Sequence, residues 1–263
     1  MSSINVVVHG VLGKMGVEVA NSVCNSVDLE LVGVADRRAK SHTYAFPDGS
    51  GSVPMSDSLE EVIQGSRVVV DFSSAEGAMD VVRTAANHKV NVVVGSTGLT
   101  EDNLQEIDSL AQEYSVGIIL APNFAIGAVL MMHAAKLVAS FFDYVELTEI
   151  HHEAKIDAPS GTALAMARAV VDGKGGEFKA PKVEKEILPG TRGGVYKGVS
   201  IHSGRMPGRT AHHELVFGAP GQTLTLRHDS INRESFMPGV IMAVREVVKS
   251  PGLRIGLDKV MGL

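Results

Sequence analysis

The residues best suited to chemistry lie between Glu149 and Ala163, in the sequence E-I-H-H-E-A-K-I-D-A-P-S-G-T-A. His151 and His152 stand where a predicted strand, Tyr144 to Ile150, ends, and Lys155 follows in a short loop. An imidazole titrates near neutral pH and can donate a proton. An ammonium group can donate one too, or can stabilise negative charge. These residue types favour proton transfer to a bound anion.

The same stretch leads into a predicted helix, Ala163 to Val171. Pro159 suits the first turn of that helix, Ser160 or Thr162 can cap it, and Gly161 lets a ligand approach the backbone. A helix N-terminus with free N–H groups binds anions. Together these features predict a site for a small carboxylate beside a proton donor. The alternative is a polar strand edge, a solvated lysine and an ordinary capped loop.

The thirteen residues H-H-E-A-K-I-D-A-P-S-G-T-A resemble the active-site signature of the dihydrodipicolinate reductase (4-hydroxy-tetrahydrodipicolinate reductase) family of the lysine/diaminopimelate pathway. A match of this length is more specific than a glycine fingerprint. The resemblance implies that His151 and Lys155 are catalytic. It also implies that His152, Gly161 and Thr162 bind substrate.

Composition excludes several other classes of protein. The chain has 263 residues, 44% of them hydrophobic, and a formal net charge of −6. It is therefore long enough for one large or two modest globular domains. Without tryptophan, and with only 5% aromatic residues, it is a poor candidate for nucleic-acid binding. No apolar run reaches the roughly 20 residues of a membrane helix. The single cysteine, Cys24, excludes an internal disulfide. With no N-terminal signal region in the sequence, we expect a cytoplasmic protein.

The chain begins with the pattern of a dinucleotide-binding module. Ile4 to His9 is a β-branched run that predicts a buried strand, and G-V-L-G-K-M-G and a helical pattern follow it. Gly10 allows a tight turn, Gly13 lets the backbone approach a pyrophosphate, and Gly16 allows close packing of helix on strand. The spacing is G-x-x-G-x-x-G rather than G-x-G-x-x-G.

The second predicted strand, Glu30 to Ala35, ends in Asp36-Arg37-Arg38. Asp36 lies about 20 residues past the glycines, where an acid meets the adenosine ribose hydroxyls. Arg37 and Arg38 stand beside it and can hold a 2′-phosphate. The sequence therefore predicts that both NADH and NADPH are accepted.

Strands and helices then alternate, which predicts a parallel, doubly wound sheet with ligands at the carboxyl ends of its strands. Residues 39–56 are predicted to form a loop and Asp57 to Gln64 a short helix. The remaining predicted strands are Arg67–Phe72, Val90–Val94 and Val116–Ala121, and the helices Ala75–Asn87 and Glu101–Tyr114.

Loops after three of these strands, Phe72 to Ser74, Gly95 to Gly98 and Ala121 to Phe124, lie at the predicted ligand edge. The last two resemble the family's G-T-T-G and A-P-N-F strings, which line the cofactor there, with Ser96 in place of the more usual Thr. The predicted cofactor-binding residues are Gly10, Val11, Leu12, Gly13, Lys14, Met15, Gly16, Asp36, Arg37, Gly95, Ser96, Thr97, Ala121, Pro122, Asn123 and Phe124.

The second half predicts an α+β domain. A long apolar helix, Ala125 to Phe142, precedes the central stretch, and three alternating strands follow it at Gly198–Met206, Thr210–Gly218 and Gln222–Arg227. A helix from Glu234 to Lys249 then returns to the first domain. We therefore expect a dinucleotide-binding domain of residues 1–124 and 234–263, and a substrate-binding domain of residues 125–233 with an open mixed sheet. The resemblance implies a homotetramer formed through that sheet.

Several basic residues receive no role in substrate binding. Arg205 lies in H-S-G-R-M-P-G, which also resembles the family, and its expected role is structural or interfacial. His202, His212, His213 and His228 fall in the predicted strands without an assigned function. Neighbours on a strand face opposite ways, and no histidine–carboxylate set has zinc spacing, so no metal is expected.

The resemblance covers essentially the whole chain and implies reduction of a cyclic, unsaturated dicarboxylate by a nicotinamide cofactor. One rival is another dehydrogenase of amino-acid metabolism. A thioester-forming enzyme needs a catalytic cysteine, and Cys24 lies on the first helix. Sugar oxidoreductases of similar layout carry an E-K-P string that this chain lacks. A second rival is a cofactor-binding sensor, which has no need for a proton donor beside an anion cradle.

Overall fold

The computed structural model describes residues 3–46 and 48–263. The strands are β1 Ile4–His9, β2 Leu29–Ala35, β3 Thr43–Ala45, β4 Ser52–Ser56, β5 Val68–Asp71, β6 Asn91–Val94, β7 Gly117–Leu120, β8 Tyr144–His151, β9 Gly194–Tyr196, β10 Val199–Arg205, β11 Ala211–Ala219, β12 Gln222–Ser230 and β13 Gly252–Ile255. The helices are α1 Lys14–Cys24, α2 Ala75–Asn87, α3 Glu101–Glu113, α4 Ile126–Val138, α5 Gly161–Lys174, α6 Met237–Val247 and α7 Leu257–Met261. Short 3-10 helices span Leu59–Glu61, Ala139–Phe141 and Arg233–Phe236.

The chain divides into two compact units. The first contains Met1–Phe124 and Phe236–Leu263, and the second contains Ala125–Ser235. The chain leaves the first unit after β7 and re-enters it just before α6. Each unit has its own sheet.

The sheet of the first unit has the strand order β13-β7-β6-β5-β1-β2-β4-β3. All of its neighbours pair in parallel except β3 and β4, which form an antiparallel hairpin at one edge. From β1 the chain runs to β2 on one side, and β5 lies on the other. This reversal is the point at which doubly wound sheets bind ligands.

Buried side chains cover both faces of this sheet. Val7, Val69 and Val92 belong to the cluster that packs under α2 and α3. Val6 and Val8 are equally buried and point to the opposite face, where α1 and α6 lie. Burial on both sides explains the unbroken β-branched runs in the sequence. The predicted doubly wound parallel sheet is confirmed.

Two local predictions in the first unit are wrong. Residues 39–56 contain β3 and β4, because Val53 and Met55 are buried when β4 pairs with β2. Pro47, within that predicted loop, lies outside the described residues. The helix predicted for Asp57–Gln64 is only the 3-10 turn at Leu59–Glu61, which buries Leu59. Tertiary packing outweighs local composition at both places.

The sheet of the second unit has the order β12-β11-β8-β10-β9. Strand β8, at its centre, pairs in parallel with β10 and antiparallel with β11, so the predicted mixed sheet is confirmed. Helices α4 and α5 pack together, and α5 also contacts β8 and β10. Gly175, at the C-terminal cap of α5, has a φ of +69°, which allows the helix to end there.

Candidate active site

The site of the second unit is built at the C-terminal end of β8. Burial alternates along this strand, so Val145, Leu147, Glu149 and His151 share its buried face. A carboxylate and an imidazole thus continue a row that begins with two apolar side chains. Glu149 is 0% exposed and His151 is 7% exposed.

Glu149 joins three elements of the unit through hydrogen bonds. Its Oε2 pairs with Nδ1 of His151. Arg205, at the end of β10, donates from Nη1 to Oε2 and from Nη2 to Oε1, both at 2.9 Å. The backbone N–H of Ser160 donates to Oε1 at 3.2 Å. Arg205 was expected to be structural or interfacial, and in the structure it binds the carboxylate that pairs with His151.

Glu149 is an anion at neutral pH despite its burial. Burial raises the pKa of this carboxyl group, but hydrogen bonds from His151, Arg205 and Ser203 outweigh that effect and hold the pKa at about 2. Hydrogen bonds to an ionised carboxylate favour its charged form. His151 therefore has a fixed negative partner.

Helix α5 begins beside this carboxylate. Ser160 is its N-cap and accepts a hydrogen bond from the Ala163 N–H at 3.1 Å. Of the two caps left open by the sequence, the structure uses Ser160. Gly161 is the first helical residue, and apart from its chain neighbours and the backbone of its own helix, no atom of the described residues lies within 4 Å of where a Cβ would stand. Pro159 lies before the cap, which corrects the expectation that it occupies the first turn.

Lys155 and His152 lie in the loop that leaves β8. The Lys155 N–H donates to the His152 carbonyl at 3.1 Å, and the Lys155 ammonium lies 2.7 Å from Oδ1 of Asp157. The Asp157 carbonyl accepts from Nη2 of Arg205 at 2.5 Å. His152 is exposed. The ammonium of Lys155 is therefore paired with a carboxylate of its own loop.

His213 on β11 lies opposite Glu149 and is one of the four histidines that sequence reasoning left without a role. Its ring meets that of His151 edge-on, with centroids 5.3 Å apart, and its Nε2 lies 3.3 Å from Oγ of Ser160. Burial, together with the charge of His151, lowers the pKa of His213 to about 4. His213 is therefore neutral at neutral pH and does not repel an imidazolium at His151.

The other histidines of this sheet lie apart from Glu149. His202 pairs with Glu146 and His212 with Asp229, both at 2.6 Å, and the His228 ring packs on the backbone at Gly127. Within residues 3–46 and 48–263, no three His, Cys, Asp or Glu side chains are grouped as metal ligands would be.

In the first unit, the glycine-rich turn adopts the geometry that its spacing indicates. Gly10 has a φ of +78°, and the Gly13 N–H donates to the Gly10 carbonyl at 2.9 Å. Gly13 is the N-cap of α1 and places no side chain over the helix end. A Cβ on Gly16 would overlap the Gly10 carbonyl, so only glycine permits this close packing.

Asp36, at the end of β2, is buried and hydrogen-bonded to protein groups. Its Oδ2 accepts from the Leu12 N–H at 2.9 Å, and the Arg38 guanidinium clasps the carboxylate through Nε and Nη2, each at 2.9 Å. The Arg38 hydrogen bond is the main cause that lowers the pKa of Asp36 to about 2. Arg37 and Arg38 are both exposed and line the adjoining cavity, but it is the Arg38 guanidinium that pairs with Asp36. The two arginines, equivalent in the sequence, thus differ in their contact with this carboxylate.

The cavity beside these residues has a volume of about 610 Å³. It lies at the carboxyl ends of β1, β2 and β5, where the strand order reverses. Of the predicted cofactor-binding residues, Gly10, Gly13, Asp36 and Arg37 line it.

A buried aspartate connects the loops around this cavity. Asp71 is 0% exposed, and its oxygens lie 2.6 Å from His9 Nδ1, Ser73 Oγ and Ser96 Oγ. The Ser73 N–H in turn donates to Ser96 Oγ at 2.9 Å. The hydroxyl of Ser96, where the family more usually has Thr, therefore both donates and accepts a hydrogen bond. Asp71 ties together the ends of β1, β5 and β6.

The remaining predicted cofactor residues contact the cavity indirectly or not at all. Gly95 lies against the Phe72 ring, which lines the cavity, and the Phe124 ring packs on Phe72 with centroids 5.6 Å apart. Those that do not line the cavity are Val11, Leu12, Lys14, Met15, Gly16, Gly95, Ser96, Thr97, Ala121, Pro122, Asn123 and Phe124.

Sequence reasoning missed Glu149, His213, His9 and Asp71. For Glu149 the sequence did contain a signal, because it occupies a position of the alternating strand that faces the core. For Asp71 and His9, each at the end of an apolar run, position alone did not distinguish a buried partner from a polar strand end.

Comparison with known proteins assigns the chain to a family. Residues 4–124 match the family model described as dihydrodipicolinate reductase, N-terminus, and residues 127–261 match the one described as dihydrodipicolinate reductase, C-terminus. The chain belongs to the dihydrodipicolinate reductase family. This is an oxidoreductase family, and the resemblance carried by residues 151–163 is confirmed.

Two individual relatives match over their full lengths. The 4-hydroxy-tetrahydrodipicolinate reductase of Dehalococcoides mccartyi is 46% identical over 265 residues, covering 100% of both chains. The dipicolinate-bound dihydrodipicolinate reductase from Paenisporosarcina sp. TG-14 superposes with a TM-score of 0.87 at 40% identity, covering 98% of this chain and 99% of that one.

A more distant structure, the amine dehydrogenase from Mycobacterium smegmatis, has a TM-score of 0.64 at 18% identity over 96% of this chain and 95% of that one. At this identity the likeness concerns the fold alone. The first unit has the fold of nucleotide-dependent dehydrogenases. In the part of the chain that the structure describes, no helix is both long and apolar enough to cross a membrane.

The buried neutral state of His213 makes stability depend on pH. Its pKa is about 4 in the folded chain and about 6.5 when unfolded, so the unfolded chain binds the proton first. His213 therefore lowers stability as pH falls from about 6.5 towards 4, by on the order of 3 kcal/mol in total. In urea titrations between pH 7 and pH 5, we expect His213→Gln to lose part of the wild-type pH dependence.

The matched control is His42→Gln, which removes an exposed histidine. It should keep the wild-type slope. Identical slopes for His213→Gln and wild type would contradict the prediction.

Proposed function

We propose that the chain reduces 4-hydroxy-tetrahydrodipicolinate to tetrahydrodipicolinate in lysine and diaminopimelate biosynthesis, with NADH or NADPH as the hydride source. The observation that carries the proposal is a buried, ionised Glu149 bound to His151 beside the N-terminus of α5, in a chain that matches both family models of this reductase. The relative from D. mccartyi bears that enzyme's name, and the relative from Paenisporosarcina binds dipicolinate, a cyclic dicarboxylate.

The first unit fits a dinucleotide. Helix α1 begins at Lys14, its N-cap Gly13 places no side chain over the helix end, and Gly10, Gly13 and Asp36 line the cavity beside it. Gly10, Gly13 and the first turn of α1 would hold the pyrophosphate, and Asp36 with Arg37 would face the adenosine ribose. When bound, the cofactor supplies the hydride.

The reaction consumes one reduced cofactor and one proton and releases the oxidised cofactor and one water. The ring hydroxyl leaves as water. Hydride adds to a ring carbon conjugated with the imine, and a proton reaches the neighbouring carbon. The protein must therefore deliver a proton and stabilise the negative charge that hydride addition places on the conjugated system.

His151 is the proton donor in this proposal. Its Nδ1 faces Glu149, which leaves Nε2 as the nitrogen that donates. The ionised carboxylate stabilises the imidazolium, and neutral His213 adds no repulsion. An imidazole suits a reaction at neutral pH, because its two protonation states are both accessible there.

Lys155 is the second donor and stabilises charge on the ring. Its ammonium already pairs with one carboxylate, that of Asp157, at 2.7 Å. A substrate carboxylate or the charged ring can take the place of Asp157. His152, exposed in the same loop, contacts the substrate and helps to orient it.

The N-terminus of α5 binds one carboxylate of the substrate. Gly161 leaves open space at the first turn, and Thr162 offers a backbone N–H and a hydroxyl. Ser160 is already committed to the cap and to Glu149, so it orients the helix.

A coupled assay tests the function. Dihydrodipicolinate synthase generates the substrate from pyruvate and aspartate semialdehyde, and the absorbance of NADH or NADPH is followed. We expect oxidation of both cofactors with comparable KM values, because Asp36 suits a ribose and Arg37 a 2′-phosphate. Arg37→Ala should raise the KM for NADPH more than that for NADH.

A preference of more than about a thousandfold for one cofactor would contradict the dual acceptance, since such ratios need a dedicated contact. Binding of NADPH without any turnover would contradict the proposed reaction and would favour a sensor.

Loss of either proton donor should lower the rate of the chemical step. We expect His151→Gln to lower kcat by about 10²- to 10⁴-fold, as for a lost general acid. Lys155→Ala should lower kcat by a similar factor and raise the KM for the substrate. Steady-state kinetics of the two variants provide the measurement.

Matched controls exist for both. His202→Gln removes a histidine of the same sheet that also pairs with a glutamate, and Lys179→Ala removes a lysine that also pairs with an aspartate. Both controls should keep kcat, whereas near-native kcat/KM in His151→Gln and Lys155→Ala would overturn the assigned roles.

The proposal includes a cytoplasmic homotetramer assembled through the sheet of the second unit. On β12 the side chains of Thr223, Thr225, Arg227 and Asp229 are exposed in alternation, which leaves a sheet face available for pairing between subunits. Light scattering of the purified protein should give about four times the chain mass of 27.8 kDa. A monomer mass at micromolar concentration would contradict this assembly.

A further inference from the structure

We propose that Glu149 is a positioning residue for the reaction: it orients and charges His151, and it fixes the distance between His151 and the carboxylate cradle of α5. This inference rests on the proposed role of His151 as the proton donor. Glu149 itself lies beneath His151, fully buried, and acts only through its neighbours.

The geometry leaves Glu149 no spare oxygen. Oε2 receives His151 and one nitrogen of Arg205, and Oε1 receives the other nitrogen of Arg205 and the Ser160 N–H. The Ser203 side chain also hydrogen-bonds to this carboxylate. With every acceptor direction used, the carboxylate can adopt only one orientation. Because Nδ1 of His151 is bound to this carboxylate, the orientation of the imidazole ring, and with it the direction of Nε2, is fixed as well.

The same carboxylate connects the donor to the anion cradle. Ser160 donates its backbone N–H to Glu149, and it caps the helix in which Gly161 and Thr162 offer their groups to the substrate. One buried group therefore sets where the acid stands relative to the bound carboxylate. Errors of about 1 Å in such a relation can cost about 10²-fold in rate.

A purely stabilising role explains the arrangement poorly. Glu149 takes a position that the alternation of β8 assigns to the core, next to Leu147. Replacing a buried ion pair by apolar residues is often neutral or stabilising, so an ion pair at this position is weak support for a stability role. The position makes sense if the charge serves His151.

The electrostatics agree with this geometry. The groups that face His151 are Glu149 on β8, Arg205 on β10 and His213 on β11, with Ser160 ahead of α5. Arg205 offsets the charge of Glu149, and His213 is neutral above about pH 4. The ionised carboxylate in direct contact with Nδ1 is therefore the negative charge that acts on the His151 ring.

The test is Glu149→Gln, which keeps the shape but removes the charge. We expect kcat to fall by about 10²-fold, the cost of displacing a catalytic group by about 1 Å. The KM for the substrate should change much less. The falling limb of the pH profile of kcat should move to lower pH by about one unit, because a neutral amide no longer stabilises the imidazolium.

The matched control is Glu146→Gln. Glu146 lies on the opposite face of the same strand and also pairs with a histidine and an arginine, His202 and Arg192. It should leave kcat and the position of the pH limb unchanged. Glu149→Asp keeps the charge and should keep the limb near its wild-type position while kcat falls.

A double-mutant cycle separates this inference from a structural role. In a His151→Gln background, Glu149→Gln should reduce kcat little further, because it acts through the missing imidazole. A full, additive loss in that background, or a folded Glu149→Gln enzyme with wild-type kcat and pH profile, overturns the inference. If Glu149→Gln does not fold, a shifted pH limb in Glu149→Asp overturns it instead.

Failure of the proposed function gives a different result. A near-native kcat in His151→Gln alone removes the donor role and this inference with it, and the single variant reveals that before the cycle is completed. Loss of kcat in His151→Gln together with an unaffected Glu149→Gln rejects only the positioning role.

Discussion

The buried carboxylate of Glu149 is the group on which the second unit's site depends. It binds His151, Arg205 and the backbone ahead of α5, so the ends of β8 and β10 and the start of α5 meet at two oxygen atoms. A buried charge is tolerated only when it is paired and fully hydrogen-bonded. The need to satisfy Glu149 therefore constrains the end of β8, the end of β10 and the first turn of α5 together.

Asp71 has the same relation to the first unit. It is as buried as Glu149, and its three partners lie at the ends of β1, β5 and β6. Parallel strands bring their carboxyl ends to one edge, but the loops that follow them are otherwise free to diverge. A shared buried acceptor holds these loops in one arrangement around the cavity. Each unit thus uses one carboxylate to convert strand ends into a defined site.

Predictions from local sequence succeeded where one pattern dominated. Helix α2 has the predicted bounds Ala75–Asn87, because the Ser74 cap and an apolar face agree. The prediction failed for β3 and β4, whose residues are rich in Ser, Gly and Pro and become strands only by pairing with β2. Strand β13 was missed for the same reason, since it is short and depends on β7. Such strands form by pairing with neighbouring strands, and those neighbours lie outside the local stretch of sequence on which the prediction rests.

By itself, the sequence determined the fold class, the family, the glycine turn at Gly10 to Gly16 and the stretch that carries His151 and Lys155, because these depend on residues close together in the chain. Only the tertiary structure decided which charges pair. It assigned Arg38 rather than Arg37 to Asp36, Arg205 to Glu149, and a neutral buried state to His213. The physical reason is that the Arg205–Glu149 pair joins residues 56 apart in the chain and that the state of His213 depends on its burial, neither of which a linear pattern of residue types encodes.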